Sequence, residues 1–363
     1  MRTYCPFFTA ELRICRLRVL AYYPVQLLSD IPLPGFNSYM ERLEELLADS
    51  VASADPNLSE VATHLIKAGG KRIRPTLAMG AAASGGAAID ESVLLSGVAV
   101  ELVHLASLYH DDVMDEATTR RNASSVNFRW GNLIAIVAGD FLLARAAGIA
   151  ARLGQSVAEL LADTLARLCE GQILEVNTAF KISRTQEQYL EAISGKTASL
   201  MATSCKIGAI ASRLNDDIST KLERVGYLFG MVYQIRDDVL DIVGTSDELG
   251  KPPAQDLVEG IYTLPTIFAL EQEPPNGILA TLLGQNRPGA LSGGDLDLAR
   301  REILISGSLE KSVAVARGYC NEAASLAREI NHPVAQYLGD LSPRLLDGIE
   351  EIIETRLNTG IAS

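Results

Sequence analysis

ESVLLSGVAVELVHLASLYHDDVMD, residues 91–115, decides how the rest of the chain is read. Residues 94–108 are strongly apolar, and three carboxylates, Asp111, Asp112 and Asp115, then close the run. Residues four apart on an α-helix share a face, about 6 Å from one another. Asp111 and Asp115 therefore stack, with Asp112 beside them. Asp is a poor helix former and like charges repel, so the cluster needs a reason. One such cluster can be a solvated helix end. A second one, Asp237, Asp238 and Asp241 in YQIRDDVLD, closes another helical stretch 126 positions later. Two near-identical clusters favour a single divalent-metal site. Hard oxygen ligands at this spacing suit Mg²⁺, which keeps waters and is completed by phosphate oxygens. A diphosphate-bearing substrate is the expected ligand. An EF-hand is excluded, because the Asp spacing differs and no Gly-containing loop with a terminal Glu follows.

Helical spacing extends outward from this stretch. Leu43, Leu46, Leu47 and Val51 recur at three- and four-residue intervals. Further helices are expected at 58–68, 75–85, 91–113, 133–153, 156–180, 185–192, 198–214, 218–243, 264–271, 308–329 and 334–355. No alternating strand pattern runs over six residues, and no glycine-rich nucleotide loop follows a strand. The fold class is all-α, one large helical bundle. Residues 117–131, 244–262 and 274–294 read as loops, the last as an exposed Pro/Gly/Asn-rich excursion.

Composition agrees. Hydrophobic residues make up 48% and aromatics 6%, which suits a core of Ala, Leu, Ile and Val on packed helices. The formal charge of -13 disfavours nucleic acid as a partner, since phosphate binding there needs a basic face. The cysteines, Cys5, Cys15, Cys169, Cys205 and Cys320, are scattered and without CxxC spacing. They indicate a reducing, cytoplasmic setting and no zinc or disulfide framework. No membrane-spanning stretch is evident. Arg2, Arg13, Arg16 and Arg18 precede an apolar stretch, 19–28, broken by Pro24. We read residues 1–37 as an N-terminal extension and 38–363 as the catalytic domain.

Basic groups punctuate the chain between the aspartates. Gly69-Gly70-Lys71-Arg72-Ile73-Arg74-Pro75 sets three cations between a helix end and a helix start, and Arg120 with Arg121 follows Asp115. Arg forks and Lys point charges are the usual grip on phosphate. Gly195-Lys196-Thr197 reads as a helix end followed by a new helix start, whose free N–H groups would face an anion. His104 lies seven residues before Asp111, near the same face; a buried, satisfied histidine is the competing reading.

Taken in order, GGKRIRP, ELVHLASLYHDDVMD, the Arg pair, GKT, YQIRDDVLD, GKP and DLVEGIYTLP resemble the trans-type, head-to-tail polyprenyl diphosphate synthases. The likeness runs from about residue 38 to the C-terminus. It implies an all-helical isoprenoid synthase-like fold around a central cavity with the two clusters facing each other. It also implies about three Mg²⁺ on the allylic diphosphate, held by Asp111, Asp112, Asp115, Asp237, Asp238 and Asp241. Arg120, Lys196, Thr197, Gln234 and Lys251 would hold that diphosphate. Lys71, Arg74, His104 and Arg121 would hold isopentenyl diphosphate. A homodimer and peripheral membrane contact for product release are further expectations. Asn122 and Ala254 depart from the pattern, each standing where the family commonly has Gly. If the backbone at 254 needs a positive φ, Ala costs of order 1 kcal/mol.

Product length is read from Val103, Ala106 and Ser107, upstream of the first cluster where a prenyl tail would run. In short-chain relatives bulky aromatics floor the cavity there. Ala106 and Ser107 are small, as are Ala146, Ala147 and Gly148, so a long-chain product is expected. The alternatives are a short-chain farnesyl or geranylgeranyl diphosphate synthase, a terpene cyclase, or a non-catalytic subunit of a heteromeric synthase. The second Asp cluster and the intact motifs argue against the last two.

Overall fold

The computed structural model describes residues 27–121, 123–249 and 252–359. Helices α1 (Phe36–Ser50), α2 (Pro56–Lys67), α3 (Ile73–Ala83) and α4 (Glu91–Met114) lead into a small hairpin, β1 (Thr119–Arg120) and β2 (Ala123–Ser124). Next come α5 (Val126–Trp130), α6 (Asn132–Leu153), α7 (Gln155–Thr178), α8 (Gln186–Ile193), a π-helical turn (Ser194–Ala198) and α9 (Ser199–Ala211). The 28-residue α10 (Asp216–Val243) precedes the one-turn helices α11 (Ser246–Leu249) and α12 (Gln255–Val258). The chain continues through α13 (Leu264–Gln272), α14 (Ile278–Gly284), α15 (Gly293–Ile305), α16 (Ser308–Glu329), α17 (Pro333–Leu345) and α18 (Ile349–Thr359). The all-α expectation holds.

Helix starts follow side-chain chemistry. Asp90 accepts from the Val93 N–H to begin α4, and Asn215 accepts from Ile218 to begin α10. Thr185 and Gln188 form a reciprocal capping box on α8. Helix α4 buries apolar residues on nearly every side, the mark of a central helix. It packs against α6, α3, α1 and α9, while α10 packs against α9, α16 and α17. Fully buried Ala78, Ala81, Ala82, Ala99, Ala106, Ala135 and Ala138 let these helices approach without aromatic bulk.

Four expectations are corrected. Residues 274–294 are mostly exposed, as expected, but are not a plain loop: they contain α14, whose Leu279 and Leu283 are buried, and Leu291 is buried too. Short apolar runs between prolines and glycines hid α14 and the start of α15. The stretch 334–355 is a pair of helices, broken at Gly348 with φ 79°. Against the expectation of no membrane-spanning stretch, α4 and α6 are both long and apolar enough to span a bilayer. For α4, 72% burial within the fold accounts for its apolar character; α6 is only 39% buried. Lastly, Gly195-Lys196-Thr197 does not separate one helix from the next. The backbone runs from α8 to α9 through the π turn, so no helix N-terminus opens there.

Leu27, Leu28 and Ile31, assigned above to the extension, are buried in the common core, and Leu27 O accepts from Tyr337 Oη at 2.5 Å. Ala254 does adopt a left-handed conformation, φ 57° and ψ 32°, while fully buried. Its N–H reaches Asp241 O at 2.9 Å, tying the loop after α10 to the second Asp cluster. A left-handed L-residue costs roughly 1–2 kcal/mol, against about 0.5–1 kcal/mol of extra chain entropy for Gly. Ala254→Gly should therefore raise unfolding stability by up to about 1 kcal/mol in urea titration. A loss of stability would mean that burial of the alanine methyl dominates.

Candidate active site

The first aspartate cluster ends α4. Asp111 is partly buried and Asp115 caps the helix, its N–H bonded to Asp111 O at 2.8 Å. Asp112 is fully buried. Arg120 approaches its Oδ1 through Nε at 2.7 Å and Nη2 at 2.6 Å, while Asp112 Oδ2 has no hydrogen-bond partner. The hairpin sets this up. Strand pairing of Arg120 with Ala123 turns the Arg pair back toward α4, and Asn127 Nδ2 donates to Asp112 O at 2.8 Å. Arg121 takes φ 54° at the turn and donates to Leu65 O at 3.3 Å and to Gly69 O. A Cβ on Gly70 would lie 2.6 Å from Arg121 Nη1, which explains the bare backbone there. Asn122 lies outside the described residues.

The second cluster ends α10, and its three carboxylates differ. Asp237 is the open one, 42% exposed, beside Arg236 Nη1 at 3.1 Å. Arg236 is itself buried and donates to Leu345 O at 2.8 Å, anchoring α10 to α17. Asp238 is buried and accepts from Tyr189 Oη at 2.6 Å and from Gln234 Nε2 at 2.8 Å. Burial pushes its pKa up, while the two donors pull the other way. Asp241 is buried and accepts from the Asp256 N–H at 3.3 Å.

The π turn joins the halves. It packs on α7 and α10, and α9 beyond it packs on both α4 and α10. Gly171 on α7 faces Gly195 so closely that a Cβ on Gly195 would lie 2.6 Å from Arg167 O. Two glycines thus allow backbone contact and fix where Lys196 and Thr197 start. Lys196 Nζ meets Glu175 Oε1 at 2.5 Å and stands within the field of Asp111 and Asp115. Burial works against its ammonium, yet the three carboxylates outweigh that and raise its pKa. Thr197 Oγ1 donates to Gln234 Oε1 at 2.8 Å, and Gln234 passes the chain to Asp238. Burial raises Asp111 to about 6; Lys196 opposes that and Asp115 adds to it.

A cavity of about 440 Å³ joins this polar floor to an apolar wall. Its lining combines the polar Asp111, Lys196, Thr197, Arg74 and His104 with the apolar Val103, Leu143, Leu165 and Leu168. Burial, and then Arg74, Arg121 and Arg120, hold His104 well below the ordinary histidine pKa. Lys71 is exposed, 6.0 Å from the Tyr233 ring centre, and the field of Asp237 acts on it. Arg72, in the same basic run, is structural: it pairs with Glu44 at 2.6 Å and Glu101 at 3.0 Å. Ser107 lines the cavity with Val103, but Ala106 is fully buried away from it. Lys251 lies outside the described residues. Sequence reading missed Glu175 and Tyr189, which lie outside the motifs quoted above, and gave no role to Arg236, which stands inside YQIRDDVLD; the four-residue step from Gly171 to Glu175 is the one local signal for Glu175.

The carboxylates fit a divalent cation. Asp111 and Asp115 crowd one another, Asp112 leaves a buried oxygen unpaired, and all offer hard oxygens. Among the described residues no group of three acidic, His or Cys side chains converges tightly enough to hold a metal alone. Oxygens from a substrate would have to complete the shell.

The fold and site thus define a helical enzyme built to hold an anionic diphosphate beside an apolar chain. The sequence profile of the polyprenyl synthetase family matches residues 55–291, and the chain belongs to that family of prenyltransferases. It is 42% identical over 235 residues to the nonaprenyl diphosphate synthase of Mycobacterium tuberculosis, covering 65% of this chain and 70% of that one. Component 2 of the heptaprenyl diphosphate synthase of Geobacillus stearothermophilus is 36% identical over 311 residues, 82% and 94% of the two chains. A short chain isoprenyl diphosphate synthase of Methanothermobacter thermautotrophicus is 39% identical over 255 residues, 68% and 78%. Among solved structures, a decaprenyl diphosphate synthase from Rhodobacter capsulatus superposes with TM-score 0.80 at 31% identity, covering 88% and 97%. The polyprenyl synthase of Caulobacter crescentus, complexed with calcium and isoprenyl diphosphate, gives 0.79 at 29%, again 88% and 97%.

Gly195→Ala tests the backbone approach. A Cβ there meets backbone, which cannot swing aside, so Lys196 and Thr197 must shift. We expect at least about tenfold lower kcat/KM with helix content by circular dichroism unchanged. Full activity would show that the π turn tolerates displacement.

Proposed function

We propose that the chain condenses isopentenyl diphosphate with an allylic diphosphate, head to tail and with Mg²⁺, to make a long-chain polyprenyl diphosphate. The observation that carries this reading is the single cavity joining Asp111, Lys196 and Thr197 to an apolar wall. Such a space suits a diphosphate at one end and a prenyl tail along the other.

Each residue has a task in this reading. Asp111, Asp112, Asp115, Asp237, Asp238 and Asp241 would hold about three Mg²⁺, with Asp238 and Asp241 acting from their hydrogen-bonded positions. The bound cations supply the positive charge that stabilises the departing diphosphate. Arg120, Lys196, Thr197, Gln234 and Lys251 grip that diphosphate. Lys71, Arg74, Arg121 and His104 grip isopentenyl diphosphate. Fixed cations in a site shielded from water lower the cost of breaking the allylic C–O bond. The double bond of isopentenyl diphosphate attacks the allylic carbon, and loss of a proton leaves a chain five carbons longer. We assign no protein group as the base.

A long product is supported by Ser107, which adds no bulk to the cavity wall, and by relatives named for nonaprenyl and heptaprenyl products. The match to a short-chain synthase keeps farnesyl or geranylgeranyl diphosphate as the second reading. Incubated alone with Mg²⁺, isopentenyl diphosphate and farnesyl or geranylgeranyl diphosphate, the chain should yield products of several added units by mass spectrometry. No elongation with any allylic primer overturns the reading. Ser107→Phe should shorten the dominant product by at least one unit; an unchanged product means the tail runs elsewhere.

We further propose a cytoplasmic homodimer whose product leaves at a membrane surface. Helix α6 leaves Leu133, Ile134, Ile136 and Val137 between 42% and 73% exposed, and α7 adds Ile173 at 60% and Val176 at 57%. An apolar face on two adjacent helices suits a second copy of itself. Ile173 also lines the cavity, so the second copy would cover its side. Val137→Glu should convert dimers to monomers in sedimentation; a wild-type monomer would refute the homodimer.

A further inference from the structure

Lys196 is already occupied before any diphosphate arrives. Its partner Glu175 belongs to no motif and stands 12% exposed, with Nζ–Oε1 at 2.5 Å. The contact follows from local geometry. Gly171 and Glu175 are four apart on α7, hence on one face. The glycine admits the π turn at backbone contact, and one turn further on the carboxylate meets the lysine.

The location is unusual for a tie that merely stabilises the fold. Glu175 adds a third negative charge beside Asp111 and Asp115, and its field acts on both. That is unfavourable unless Lys196 sits among them. A second cation stands near. Arg184 is 4% exposed, donates through Nη1 to Tyr262 O at 3.1 Å, and leaves Nε and Nη2 buried without hydrogen-bond partners. Glu175 is the carboxylate that acts on it most strongly.

We propose that Glu175 is a positioning residue that holds the Lys196 ammonium in the empty site and releases it to the diphosphate. The inference rests on the functional reading above. A diphosphate competes with Glu175 for the Lys196 ammonium, which has three donors and engages the carboxylate through one contact, so the pair limits how tightly a released diphosphate is kept. Arg184 is placed to take up some of the carboxylate's charge once Lys196 has moved. The device favours turnover over retention, because the leaving group is held strongly only while its own charge outcompetes Glu175.

The test is calorimetric binding of inorganic diphosphate with excess Mg²⁺ to the full-length protein, together with steady-state kinetics. Glu175→Gln keeps the size and removes the charge; Glu175→Ala guards against misfolding of the first variant. Both should bind diphosphate about tenfold more tightly, the scale of one lost charge-assisted contact. KM for the allylic substrate and kcat should fall together, and Glu175→Asp should return both to within about threefold of wild type. In a Lys196→Gln background, Glu175→Gln should change nothing. Unchanged or weaker binding overturns the proposal. So does tightening that persists without Lys196, which would be a general field effect. Elongation by the wild-type preparation is scored separately: its absence refutes the functional reading, whereas elongation with unaltered diphosphate binding refutes Glu175 alone.

Discussion

Two aspartate clusters, one at the end of α4 and one at the end of α10, set an electrostatic constraint that shapes what surrounds them. A buried carboxylate is costly unless paired or hydrogen-bonded. Asp112 is met by Arg120, Asp237 by Arg236, Asp238 by Tyr189 and Gln234, and Asp241 by a backbone N–H. Asp111 and Asp115 share one lysine that is already engaged by Glu175. Burial raises carboxylates at the ends of both α4 and α10, Asp111 to about 6 and Asp238 to about 7. Those ends are where a cation and a diphosphate have most to gain.

The compensating groups come from far apart in sequence, so the backbone has to bring them close. The hairpin delivers Arg120 to Asp112 and Arg121 to the Gly69–Gly70 turn with one reversal. The π turn delivers Lys196 and Thr197 to opposite clusters from adjacent positions, which a regular helix would set about 100° apart on its surface. It can do so because Gly171 and Gly195 let α7 touch it along the backbone. Rigid elements thus hold the charges, and the side chains themselves need little freedom.

What was legible in the sequence was local. Apolar periodicity and the caps at Asp90, Thr185 and Asn215 mark helix starts within a few residues, and the repeated Asp spacing marks the two ends that matter. The left-handed backbone at Ala254 was also legible, because its neighbours fit a motif whose turn favours Gly. What was hidden is tertiary. Glycine in Gly195-Lys196-Thr197 suggested a helix end, but here it serves a close approach within a continuous helix. Arg72 shares a basic run with Lys71 and Arg74, and nothing local shows that Glu44 and Glu101 hold it. Tyr189 and Glu175 carry no local signature, since their partners lie 49 and 21 positions away.

The tail's path shows the same division at finer scale. Counting back from Asp111 in steps of four gives Ser107 and Val103, and both line the cavity, together with His104, Leu108, His110 and Met114 of the same helix. Steps of four stay on one face of α4, so the metal-binding end and the apolar wall are a single stripe, Val103, Ser107, Asp111, Asp115. Ala106 falls one residue off that stripe, turned about 100° away, and its burial follows from the helix itself. A bulky side chain at Ala106 would therefore overpack the bundle, whereas the same bulk at Ser107 would enter the cavity. In the proposed function, product length would then be set by this stripe and by the α7 residues Leu165 and Leu168 that line the same cavity. Small residues elsewhere on α4 serve the packing of helices.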